Sequence, residues 1–322
     1  MTNFQVYRKT LSFSFAMFGA ELLAFIAFIG CATAGFFIFN RATDMALIGL
    51  LIGVIVGIAA AVLINIFLVN RIKAAQIAMM SIGVTENQLP EHTFKEGFNQ
   101  LKGRFGKLTA FFFIMNAIKS IFHQIGRAFT RVGEAVGGQV GGQVTSVIDS
   151  AVQTLIAYLC DCCLGWVMYN KETNMARAAC EGAVIFFKNG KTLIRNIGRI
   201  FGMSILSFVL FGGAFFGGFF ALFYFVPNMS QGIVNEIAQI AASGDGTVPE
   251  ILTQPTLFNV VAAAVLAVVL WCMFHSVIGR PFILVGVLRN FMAAGLKNKP
   301  QEGDFAVLDS RSPKFAKLHN SI

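Results

Sequence analysis

Six apolar stretches divide this chain, and threading all six through a membrane leaves 21 of its 25 lysines and arginines on one side. No other pattern in the sequence constrains the fold as tightly. With 56% hydrophobic and 13% charged residues, the 322-residue chain carries more apolar surface than a water-soluble fold can hide. A hydrocarbon core of roughly 30 Å takes about 20 apolar residues per helix, so six crossings use well over a third of the chain. The expected fold is all-α: a polytopic integral membrane helical bundle of about six transmembrane helices with amphipathic cytoplasmic helices. It forms a single transmembrane domain over 1–300, followed by a cytoplasmic tail over 301–322.

The spans fall at about 11–38, 45–69, 106–126, 144–169, 201–226 and 257–278. The third contains Asn116, Lys119, Ser120 and His123, so hydropathy alone fits a helix lying on the membrane surface as well as a crossing. Charge parity favours the crossing. Segment 70–107 holds six basic and three acidic residues, and 170–200 holds six basic and two acidic, so both read as cytoplasmic. If the fourth span crosses between them, a second crossing must accompany it. Both termini are then cytoplasmic, in a plasma or inner membrane. The loop 226–256, with Glu236, Asp245 and Glu250 and no lysine or arginine, reads as external. Arg8 and Lys9 precede an apolar run too long for a signal-peptide core, which reads as a retained span.

A net charge of +9 placed at helix ends is an orientation signal and a contact for anionic lipid headgroups at the cytoplasmic face, not a nucleic-acid footprint. The expected partners are the bilayer, those headgroups, and either a second copy of the chain or another membrane subunit. An internal echo links the cytoplasmic loops. Asn70-Arg71, an Ala/Met-rich stretch and Phe94-Lys95-Glu96-Gly97 are matched by Asn170-Lys171, a second Ala/Met stretch and Phe187-Lys188-Asn189-Gly190. Arg280-Pro281 begins a partial third copy. Each unit is expected to be a span, a surface-lying amphipathic helix and a basic turn.

Polar residues inside apolar stretches carry the functional expectations, because a charge at the bilayer centre costs at least about 2.5 to 3.5 kcal/mol and needs a partner. Asn116, Lys119, Ser120 and His123 share one helical face, as do Asp149, Gln153, Cys160 and Cys163. Helix depth pairs Lys119 with Asp149, through an ion pair or a shared water-filled cavity. Glu21, ten residues into the first span, is a separate candidate. Gly49, Gly53 and Gly57, and likewise Gly213 with Gly217, read as packing faces. The run containing Gly133, Gly137 and Gly141 reads as a glycine zipper or a flexible outer turn. Cys160, Cys162 and Cys163 lack zinc-site spacing and read as buried small hydrophobes, with acylation as the alternative. Cys272 and His275 alone do not define a metal site.

Trp166 and Trp271 fit an aromatic belt; with Tyr158 and Asp161 they also fit a site for a quaternary ammonium group. The Cys-rich end of the fourth stretch, Asn170-Lys171 and Arg195-Asn196, over about 155–300, resemble the C-terminal half of the choline transporter-like family. The resemblance implies a membrane transport fold. No Walker, HExxH or GxSxG sequence is present, so neither an enzyme nor a bound cofactor is expected. Two functions remain. One is a transporter or permease for a small solute, cations included, with Glu21, the 116–123 face and Asp149/Gln153 lining its path. The other is a non-transporting membrane scaffold or lipid-interacting accessory subunit.

Overall fold

The computed structural model describes all residues except 44–45, 106–109, 111, 125–141, 195–196, 227–230, 232–233, 236–253 and 322. Every regular element among the described residues is helical. The chain divides into two units, 1–199 with 281–322, and 200–280.

The first unit begins with the short helix α1 (Asn3–Lys9) and the long α2 (Leu11–Thr43), which returns as α3 (Ala46–Ile64). Helices α2 and α3 meet backbone to backbone. A Cβ on Gly57 would lie 2.8 Å from the Phe28 carbonyl oxygen, and one on Gly35 would lie 2.9 Å from Gly53 Cα. Small residues are what permit this approach, since apolar side chains gain little from meeting one another in lipid. The outward faces present Ile26, Phe37, Leu51, Ile55 and Val62.

Four helices among the described residues are long and apolar enough to cross a bilayer: Leu11–Arg41, Ile48–Thr85, Gly202–Phe225 and Pro255–Lys297. The expected spans at 106–126 and 144–169 are not among them. Part of the first lies outside the described residues; the rest is a helix, α6 (112–124), with a divided surface. Ile114, Ile118, Ile121 and Phe122 are buried, while Asn116, Lys119 and His123 are exposed. The second is α7 (Gly142–Tyr169), whose length from Tyr158 to Met168 is buried. Over that length its apolar residues are covered by protein.

A π-helical turn, Asn65–Val69, joins α3 to α4 (Asn70–Thr85), and α5 (Thr93–Arg104) follows. Every residue from Ala74 to Ser81 is buried, so α4 is a core helix and not the surface-lying one expected. Apolar and small side chains all round it leave no face for water. The same correction applies to α12 (Arg280–Lys297), which buries Ile283 to Leu288 with Phe291 and Met292. Helix α4 packs on α5 and α7, and α7 on α8 (Met175–Ile194). Helix α6 touches the π-turn through Phe112 and Phe67, and α8 through Phe122 and Phe186. The three echoes differ locally: the first and third pass through π-turns, Asn65–Val69 and His275–Gly279, and the second through a non-helical turn after Tyr169.

The segment expected as a tail forms α13 (Glu302–Arg311) and α14 (Pro313–His319), both packed on α8. Arg177 pairs with Glu302, Lys188 with Asp304 at 2.7 Å, and the Arg311 guanidinium lies 4.9 Å from the Phe187 ring centroid. The Ser312 hydroxyl donates to Gln124 of α6 at 2.9 Å.

Among the described residues, the second unit is built on a helix pair. Helix α9 (Ile197–Ser207) passes through the π-turn Phe208–Gly212 into α10 (Gly213–Phe225), which packs on α11 (Pro255–Phe274). Phe211 and Phe274 pack with centroids 4.3 Å apart. The glycine pair Gly213 and Gly217 departs from expectation, since a Cβ at either meets nothing within 4 Å.

These two glycine faces should respond differently to bulk. Gly53→Leu forces α2 from α3 and should cost at least the roughly 1–3 kcal/mol of core overpacking, read as a lower melting temperature in detergent. Gly213→Leu should melt like wild type. At the tail, hydrogen bonds from Lys188 and then the Gln301 backbone lower the Asp304 pKa from its ordinary value. A carboxylate depressed on folding stabilises above its unfolded pKa, about 3.9, and loses that contribution as pH falls through the folded one. Exchange-corrected protection of α13 should therefore be constant from pH 8 to 5 and fall only below about pH 3.9.

Candidate functional site

The polar chemistry of the first unit centres where α4 crosses α7. Asp161 is 2% exposed, and Lys73 Nζ lies 2.7 Å from its Oδ1. Burying a carboxylate this deeply is tolerable only with a charge-assisted partner. The thiols around it are buried too: Cys160, Cys162 and Cys163 on α7, and Cys180 on α8. Cys163 Sγ donates to the Ala179 carbonyl at 3.3 Å. Burial, followed by the charges of Asp309 and Glu181, pushes the Cys180 thiol up to about 12. These are packed, buried thiols, and among the described residues no three metal-ligating side chains converge.

Arg104 closes the C-terminal end of α7. Its Nε donates to Val167 O, Nη1 to Lys171 O, and Nη2 to Asn170 O, each at 2.9 Å, with a further Nη2 bond to Thr173 O at 2.6 Å. One guanidinium thus satisfies carbonyls that the helix end leaves without partners and sits at the negative end of the helix dipole. Arg289 performs a similar task at the N-terminus, donating to Asn3 Oδ1 at 2.6 Å and Met1 O at 2.8 Å.

Two open cavities lie on this unit. One, of 590 Å³, is lined by Trp166, Tyr169, Glu86, Glu172, Glu181 and Lys299 among others. Trp166 Nε1 and Asn170 Nδ2 both donate to Glu181 Oε2, at 2.9 and 3.0 Å, which fixes that carboxylate at the cavity wall. Burial, then the Glu86 charge, raises the Tyr169 pKa. The other cavity, of 710 Å³, lies between the start of α2 and the start of α5 and is lined by Lys9, Ser12, His92, Phe94 and Lys95 with Pro90, Glu91 and Thr93.

In the second unit a polar cluster lies beside its π-turns. His275 stacks on Trp271 with centroids 5.3 Å apart, and its Nε2 lies 3.4 Å from Ser204 Oγ. Trp271 Nε1 donates to Ser207 Oγ at 3.4 Å. His275 Nδ1 lies 2.7 Å from where a Gly279 Cβ would stand, so only glycine at 279 leaves room for the ring in this turn.

No family model matches the chain, and no curated protein or solved structure is similar to it.

The residues expected to share one path belong to both units. Asp161, Tyr158 and Trp166 are buried in the first unit, while Trp271 belongs to the second. Asn116, Lys119 and His123 are exposed on α6 and Ser120 is half-buried beside them. Gln153 is exposed on α7, and the side chain of Asp149 lies outside the described residues, as do Gly133, Gly137 and Gly141. Glu21 is half-buried on α2. Sequence reasoning passed over Lys73, Arg104 and Arg289 by counting them as orientation charges. Lys73 did carry a signal, being the last charge before the uncharged run 74–85.

The Lys73–Asp161 pair gives a clear mutational pattern. Lys73→Met or Asp161→Asn alone should destabilise by about 3–5 kcal/mol, because each strands or unpairs a buried group. The double variant Lys73→Met/Asp161→Leu should recover most of that loss. Chemical unfolding in detergent, followed by circular dichroism, reads all three.

Proposed function

We propose that the chain is a membrane-anchored, lipid-interacting accessory protein whose helical bundle lies at the cytoplasmic face. The observation that carries this reading is the closed contact between α2 and α3, which leaves no side-chain-lined gap along Gly35, Gly53 and Gly57, while one cavity is lined by bundle residues and the other lies at the very start of α2. Four crossings serve this topology as well as six. With 112–124 and 142–169 both in the bundle, segments 70–107 and 170–200 stay on one side without any crossing between them, and both termini share that side. Parity requires an even number of crossings there, and zero is even.

One observation favours the permease reading instead: the Ser204, Ser207, Trp271 and His275 cluster in an apolar helix pair. A histidine beside two hydroxyls between π-turns is an arrangement that binds a proton or a small polar solute, and π-turns are frequent at such sites. Reconstituted proteoliposomes decide between the two. The accessory reading expects no uptake of protons, choline-like amines or alkali cations above protein-free vesicles; uptake abolished by His275→Ala would overturn it. Cysteines placed at Lys102 and Lys188 should label from the same side as both termini, and opposite-side labelling would reject the four-span topology.

A further inference from the structure

We infer that the 710 Å³ cavity at the base of α2 binds the phosphoryl headgroup of an anionic membrane lipid; this rests on the lipid-interacting reading above and names its site. Lys9 and Lys95 come from segments 86 residues apart and line one cavity with His92 and Ser12, against a single lining carboxylate, Glu91. Neither lysine makes an ion pair among the described residues. Two cations and a hydroxyl converging on an open cavity present donors suited to a phosphate group.

Depth points to a lipid as the source of that phosphate. The candidate span begins at Leu11, so Ser12 lies in its first turn, and one turn further Phe15 is already 61% exposed to the hydrocarbon side. The cavity therefore stands at the level where a span leaves the acyl region and headgroups begin. Its rim is partly apolar: Phe94 is 40% exposed and packs on Phe13 with centroids 4.8 Å apart. That ring meets the glycerol and first methylenes while the lysine stems carry their ammonium groups to the phosphate. The volume exceeds what a bare phosphate fills and lies in the range of sites for larger small molecules. Helix α5 begins here as well, and its N-cap residue His92 makes no side-chain cap, so first-turn N–H groups remain for an anion.

The test uses the full chain in detergent, with dioctanoyl phosphatidic acid, dioctanoyl phosphatidylcholine and inorganic phosphate as probes, read by native mass spectrometry and thermal shift. Phosphatidic acid should bind in preference to phosphatidylcholine. With about 1 kcal/mol per lysine at a membrane surface, Lys9→Gln and Lys95→Gln should each weaken binding about fivefold, and the double variant roughly thirtyfold. Ser12→Trp, which fills the cavity and removes no charge, should abolish binding with the melting temperature of the lipid-free protein unchanged. Lys314→Gln, on α14, should bind like wild type. Undiminished binding by both the double lysine variant and Ser12→Trp would overturn the site and leave the lipid-interacting reading standing. No binding of phosphatidic acid by the wild-type protein would overturn both. Inorganic phosphate binding as tightly as phosphatidic acid would show a free-anion site and overturn the lipid assignment.

Discussion

The Lys73–Asp161 ion pair decides which solvent the middle of the chain meets. A carboxylate 2% exposed, in a run that contains three cysteines, a tryptophan and otherwise apolar residues, cannot face lipid and cannot stand alone. Lys73 on α4 answers it, and in doing so fixes α4 against α7. The rest of the bundle follows from that crossing. Helix α8 returns along α7, α12 packs its Leu288 over Gly165, and Arg104 gathers the carbonyls with which α7 ends. Helix α7 therefore needs protein on all sides of its second half, although its hydropathy is that of a span.

Hydropathy identifies an apolar solvent without saying whether lipid or protein supplies it. For α2, α3, α10 and α11 the two readings coincide, and those stretches were legible. For α7 they separate: an apolar run of span length lies against protein from Tyr158 to Met168, and the expected crossing at 106–126 rested by parity on the one at 144–169. Asn116, Lys119 and His123 are exposed on α6, and which way that face turns depends on contacts of Phe112, Phe122 and Gln124 with Phe67, Phe186 and Ser312, which lie far away in sequence. Glycine spacing has the same weakness. Gly49, Gly53 and Gly57 meet a neighbouring backbone; Gly213 and Gly217, at the same interval, meet nothing within 4 Å. Spacing describes a face and leaves its partner open.

The π-turns Asn65–Val69, Phe208–Gly212 and His275–Gly279 have no sequence signature of comparable strength, yet they change what the helices present. Each adds a residue to a turn and so rotates the following helix by about 100° relative to an uninterrupted one. Before the first of them, α3 offers Ile55, Val62 and Leu63 outward; after it, α4 is buried all round. At the third, Pro281 supplies a cause, since it has no N–H for the carbonyl four residues earlier and the wider turn absorbs the missing bond.

The basic residues, finally, do not act as one population. Lys73, Arg104, Arg177, Lys188 and Arg289 are engaged with carboxylates, backbone carbonyls or the N-terminus, and their charge is spent inside the bundle. Subtracting them leaves a smaller set to meet the membrane, and a net charge of +9 overstates the attraction of the whole surface for anionic lipid. What remains is local. In the proposed lipid site Lys9 and Lys95 line one cavity at the start of α2, and such a local pair would select a lipid by position, whereas a diffuse charge attracts every anion alike. The bundle thus uses Arg104, Arg177 and Arg289 to hold itself together, while Lys9 and Lys95 are left for the proposed lipid.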